Sequence, residues 1–86
     1  MASENYIVRQ IEEIVEGEHS RWLIGVTDEP IKRKAELGNS LTWLHWKADT
    51  EKEARNVERY FLGMGMQISV KTSKPAVYVY ILRVDS

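Results

Sequence analysis

The 86-residue chain contains no cysteine. That excludes disulfide staples and thiolate metal sites, on which small secreted domains commonly rely. It has no apolar run long enough to span a bilayer and no signal-peptide pattern over Met1–Val8. These absences predict a soluble, cytoplasmic protein without a membrane partner. Internal repeats and low-complexity tracts are missing as well. Net charge is nearly absent, since 12 Lys and Arg stand against 13 Asp and Glu. A dedicated DNA binder is usually more basic. The balance conceals an asymmetry, however. Residues 1–20 hold Glu4, Glu12, Glu13, Glu16 and Glu18 against Arg9 alone, so the rest of the chain carries eleven cations against eight anions. This modest excess is compatible with a basic face for an anionic partner, and equally with a mixed solvated surface.

What is present fits a single domain over 1–86 with a small core. Ser3 can cap a helix over 4–16, with Ile7, Ile11, Ile14 and Val15 on one stripe and Gly17 as its stop. His19 falls in a connector without a second ligand nearby and reads as a solvated loop residue. Thr50-Glu51-Lys52-Glu53 has the form of a capping box opening a helix over 50–62, whose apolar stripe is Ala54, Val57, Phe61 and, at its end, Met64. Residues 67–75 read as an exposed, mobile connection with a short extended piece at 68–70. The expected fold class is α+β: strands at 21–26, 41–48 and 76–83 in a three-stranded antiparallel or mixed sheet, covered by helices at 4–16, 29–37 and 50–62.

The chain is organised around Trp22–Leu37, a strand, a tight turn and an immediate helix. Pro30 suits the first helical turn, and Thr27 or Asp28 is placed to cap it. Lys32, Arg33 and Lys34 then follow close to the positive end of the helix dipole, which favours anions. Their placement marks them for another use, a phosphate-facing surface. In the strand at 41–48, alternation puts Trp43, His45 and Lys47 on one face and Leu44, Trp46 and Ala48 on the other. An aromatic, an imidazole and an ammonium together suit base stacking and phosphate contact. Ordinary packing of Trp43 under a helix is the commoner use of that residue type. Glu58 sits within an apolar helical stripe, where a carboxylate needs a cation, several donors or a metal. Arg33, Arg55 and Arg59 are its possible ion-pair partners.

Leu23-Ile24-Gly25, with Thr27 two residues beyond the glycine and Arg33 ten beyond Leu23, resembles the second half of the GIY-YIG nuclease signature. Leu23 replaces its tyrosine, and Leu37 falls where many members carry histidine. Tyr78-Val79-Tyr80-Ile81-Leu82-Arg83 looks like the tyrosine-rich first strand of that family, displaced to the other end of the chain. Ala54-Arg55-Asn56-Val57-Glu58 is similar to the helix that carries the family's metal-binding Glu. The resemblance is therefore to a circularly permuted and degenerate member, with the C-terminal strand paired beside the Trp22 strand.

The resemblance implies that Tyr80 helps activate water, that Arg33 neutralises charge on a scissile phosphate, and that Glu58 holds Mg²⁺. His45 or Tyr78 would substitute for the missing polar groups. Three readings follow: a weakly active or inactive domain that contacts DNA or RNA through Lys32, Arg33, Lys34, Trp43 and Lys47; an active Mg²⁺-dependent phosphodiesterase; or a protein-interaction module in which Arg33 and Glu58 form only an ion pair. Oligomeric state and substrate are not legible.

Overall fold

A computed structural model describes residues 2–69 and 75–84 of the chain. Three α-helices and a four-stranded mixed sheet make an α+β fold: α1 Glu4–Val15, β1 Trp22–Thr27, α2 Pro30–Glu36, β2 Leu44–Lys47, α3 Glu51–Gly63, β3 Gln67–Ile68 and β4 Tyr78–Arg83. A single 3₁₀ turn, His19–Arg21, leads into β1. The strand order is β2-β4-β1-β3. β4 lies antiparallel to both β1 and β2, and β3 runs parallel to β1.

The sheet thus has one strand more than expected. The short extended piece anticipated near 68 does pair, as Gln67–Ile68 against Leu23 and Ile24. Residues 70–74 of the expected connection lie outside the described residues. β2 is shorter than the 41–48 reading because Ser40 begins a turn. Its hydroxyl accepts from the Thr42 amide at 3.1 Å and bonds the Thr42 hydroxyl at 2.8 Å. The Thr42 hydroxyl in turn accepts from the Arg83 amide at 2.9 Å, fastening this turn to β4.

One sheet face carries the main core. Ile24 and Val26 of β1 and Val79 and Ile81 of β4 pack against Ile7, Ile11 and Val15 of α1 and Ala54, Val57 and Phe61 of α3. Both helices start as their sequences dictate, with the Ser3 hydroxyl accepting from the Tyr6 amide and the Thr50 hydroxyl from the Glu53 amide. α1 ends when Glu16 turns left-handed at φ 49, one residue before Gly17 at φ 80. Met64 is exposed beyond the end of α3, and Met66 fills the core position instead. His19 is not a solvated loop residue. Its side chain is 12% exposed, bonds Glu12 at 2.7 Å and stacks on Phe61.

The opposite face carries a smaller cluster of Trp43, Tyr80 and Leu82, flanked by Leu23 and Leu37. α1 and α3 pack on the other face, and α2, which has no buried residue of its own, reaches this cluster through Arg33, with Leu37 just past its end. No described helix is long and apolar enough to cross a membrane.

Candidate nucleic-acid interface

The second sheet face is built on the register between β4 and its two neighbours. Tyr80 stands opposite Gly25 of β1 and His45 of β2, while Tyr78 stands opposite Thr27 and Lys47. Side chains of directly opposed residues share a sheet face. This register therefore gathers the tyrosines, His45 and Lys47 on one side. A glycine at 25 leaves room for the Tyr80 ring to lie flat on the sheet, and Trp43 covers that ring with its centroid 4.4 Å away and the planes 14° apart. Tyr80 is fully buried by this stack and Trp43 nearly so.

The buried phenol is also fully engaged. Its hydroxyl donates to Ser69 Oγ at 3.0 Å and accepts from Arg33 Nη1 at 3.4 Å. Arg33 Nε donates to Glu36 at 3.0 Å. Burial opposes the Arg33 charge, but the contacts with Tyr80 and Glu36 outweigh it and hold the guanidinium above its ordinary value. Arg33 is delivered by the turn after β1, where Thr27 Oγ1 accepts from the Glu29 amide at 3.1 Å and Pro30 opens α2. Only seven residues long, α2 has Arg33 and Lys34 in its last turn, where the dipole favours cations. The expectation that the cations sit at the unfavourable end is corrected for Arg33 and Lys34, while Lys32 remains in the first turn.

At the rim the face becomes polar. Trp43 Nε1–H donates to His45 Nδ1 at 2.8 Å. Indole nitrogen is only a donor, so His45 must be the neutral tautomer with its proton on Nε2. Desolvation, and after it the positive charge of Lys34, holds the imidazole below its ordinary pKa. The His45 ring meets Tyr78 edge-on at 5.9 Å, and Lys47 Nζ stands 5.8 Å from the Tyr78 ring centroid. Lys32 is exposed and lies 3.9 Å from Glu29.

Of the residues singled out from the sequence, Tyr80, Arg33, Tyr78, His45, Trp43, Lys34 and Lys47 therefore come together. One expectation is corrected: Tyr80 is fully buried, with Trp43 stacked on its ring and its hydroxyl bonded to Ser69 and Arg33, so among the described residues the phenol faces no open pocket. Trp43 is packed, as is commoner for that residue type, though on a tyrosine ring rather than under a helix.

Glu58 does not join this group. It lies on α3, which packs on the other sheet face, and its partner is Arg55 at 3.8 Å rather than Arg33. Its side chain is 12% exposed. Burial raises its carboxyl pKa, with Arg55 and Arg59 pulling the other way. Arg55 also lies 3.8 Å from Glu51. The contact that Glu58 makes is thus an ion pair, and no group of three or more His, Asp or Glu arranged to hold a metal occurs among the described residues. The pairing of β4 with β1 is the one that the resemblance implies; the covering of Tyr80 by a residue outside any strand is the part that local pattern did not carry.

Comparison with protein-family models, curated proteins and solved structures finds no match for this chain.

Proposed function

We propose that the chain is a small nucleic-acid-contacting domain, inactive or weakly active as a nuclease, and a permuted and degenerate relative of the GIY-YIG fold. The observation that carries the reading is the gathering of His45, Lys47 and Tyr78 on a sheet face that no described helix packs over, with Lys32, Arg33 and Lys34 on neighbouring α2. Cations attract the phosphate backbone without regard to sequence, and an aromatic ring among them gives a base somewhere to rest. β4 beside β1, with Tyr80 meeting Arg33, supports the family likeness. Catalysis is the weaker part of that likeness, because the phenol is buried and bonded and Glu58 lies across the sheet. A cytoplasmic location belongs to the same proposal.

Titrating the protein with short DNA and RNA at low salt, and following backbone amide shifts, tests it. Shifts at residues of α2, β2 and β4, weakening as salt rises, are expected. A spectrum that no nucleic acid alters at low salt would remove the reading.

One observation favours a second reading, a protein-interaction module. A groove of about 660 Å³ lies at the far end of the same face, its floor made by Leu23, Leu37 and Leu82. Leu41, fully exposed, and Val84 border it. Exposed apolar groups concentrated at a concavity are a common mark of a partner site. The Arg33–Glu58 ion pair earlier attached to this reading is not formed; each residue has its own partner.

A further inference from the structure

Beyond a general attraction for phosphates, one corner of this face has directional chemistry. Trp43 Nε1–H occupies His45 Nδ1, so the remaining ring proton sits on Nε2. His45 is itself exposed, which leaves that proton as a donor at the surface. Its direction is fixed from beneath: Trp43 is clamped on Tyr80, and Tyr80 is clamped between Gly25, Ser69 and Arg33. A donor held this way loses little freedom when it binds an acceptor. Lys34 is close enough for its charge to be felt at His45, and Lys47 stands over Tyr78. Tyr78, diagonal to His45 across the β2–β4 ladder, is half-buried and meets the His45 ring edge-on.

We infer that His45, Lys47 and Tyr78, with Lys34 adding charge nearby, form a one-nucleotide subsite for single-stranded nucleic acid, in which His45 Nε2–H donates to a phosphate oxygen, the Lys47 ammonium swings from the Tyr78 ring to that phosphate, and the ring so freed receives the adjoining base. The inference rests on the nucleic-acid reading above and narrows it to a strand type and a residue set. Single strands are specified because the Tyr78 platform needs a base with an open π-face, which a duplex does not offer. Neither the sugar nor the base identity is read by these groups, so DNA and RNA single strands share the site.

The test uses the full chain, with His45 ¹⁵N-labelled, and four probes at low salt: dT12, rU12, a 12-base-pair DNA duplex and inorganic phosphate. Binding of dT12 and rU12 tighter than the duplex is expected, with shifts at Lys34, His45, Lys47 and Tyr78 and the Nε2–H tautomer retained. Tyr78→Leu should weaken the single strands by roughly five- to a hundredfold, the range for loss of one stacked base. His45→Gln, whose carbonyl can still accept from Trp43, tests the donor without emptying the site; its amide spectrum verifies the fold. Duplex binding as tight as single-strand binding, or shifts confined to α2, would overturn the subsite while leaving nucleic-acid contact in place. Inorganic phosphate producing the whole His45 shift, with Tyr78→Leu without effect, would reduce the corner to a small-anion site and also overturn it. Silence with all nucleic acids would remove the underlying reading itself.

Discussion

Tyr80 lies across Gly25, its partner in the β1–β4 ladder, so closely that a Cβ on Gly25 would stand 2.5 Å from the phenol oxygen and 2.6 Å from the ring carbon that bears it. An aromatic ring covering a cross-strand glycine is a recognised way to pin register and fill the gap that glycine leaves. Here it also sets the height of everything above. The ring's flat seat fixes Trp43, and Trp43 fixes the tautomer and orientation of His45.

Gly25→Ala should therefore destabilise the protein by about 1–3 kcal/mol, the usual cost of forcing a methyl group into a filled site. Urea unfolding measures the loss. Combining it with Tyr80→Leu should cost less than the two single changes added together, because the smaller side chain vacates the space the methyl needs. Strict additivity would mean that the ring is not what the glycine accommodates.

Tyr80→Phe removes the hydrogen bonds to Ser69 and from Arg33 while keeping the stack on Trp43. A loss of roughly 0.5–1.5 kcal/mol per bond is expected in folding stability. In Mg²⁺ with plasmid or branched DNA, any residual cleavage should be the same for this variant and the unaltered chain. Cleavage that depended on the Tyr80 hydroxyl would reinstate it as a catalytic group despite its burial.

His45 should make the fold sensitive to mild acid. Its folded-state pKa lies below the ordinary 6.5, chiefly through desolvation and then through Lys34. Between those two values the unfolded chain binds more protons than the folded one. The His45 contribution is thus fully present above about pH 6.5 and is lost as pH falls through the folded value. Protonation at Nδ1 would also break the bond from Trp43. Unfolding midpoints measured across this range should fall with pH, and His45→Gln should flatten the slope. An unchanged slope would show that the imidazole titrates as it does in the unfolded chain.

Glu58 gives the opposite sign. Burial raises its folded pKa above the unfolded value, against the pull of Arg55 and Arg59. Its contribution is present below the unfolded carboxylate pKa and declines as pH rises through the folded one. Glu58→Gln should accordingly gain stability relative to the unaltered chain on going from acid to neutral pH. The same substitution should leave nucleic-acid binding unchanged, since Glu58 lies on the helix-covered side of the sheet. A loss of binding would place it functionally with Arg33 after all.

Much of the fold was legible because local physics and tertiary packing agreed. The Ile7–Ile11–Val15 stripe, the Ser3 and Thr50 caps and the β-branched run at Tyr78–Arg83 each satisfy their own backbone and bury one face, so neighbours had little to change. Reading failed where a residue's partner was distant or a turn cut an element short. His19 looked solvated because Phe61, which stacks on it, is far along the chain. α2 keeps within one residue of its expected bounds at each end, yet in so short a helix Arg33 and Lys34 already fall in the last turn. Trp43 could be assigned to a face by alternation, but its burial depended on a Tyr80 ring that period-two patterning places without saying what lies on top.

By itself the sequence determined the element types, the two faces of β4 and the presence of a misplaced carboxylate in α3, since periodicity, caps and turn residues act over a few positions. Only the tertiary structure decided that Tyr80 and Arg33 meet while Glu58 stands apart. Which side of a sheet a helix covers is fixed by chain crossings and by the burial of whole apolar surfaces. No short-range pattern records that choice.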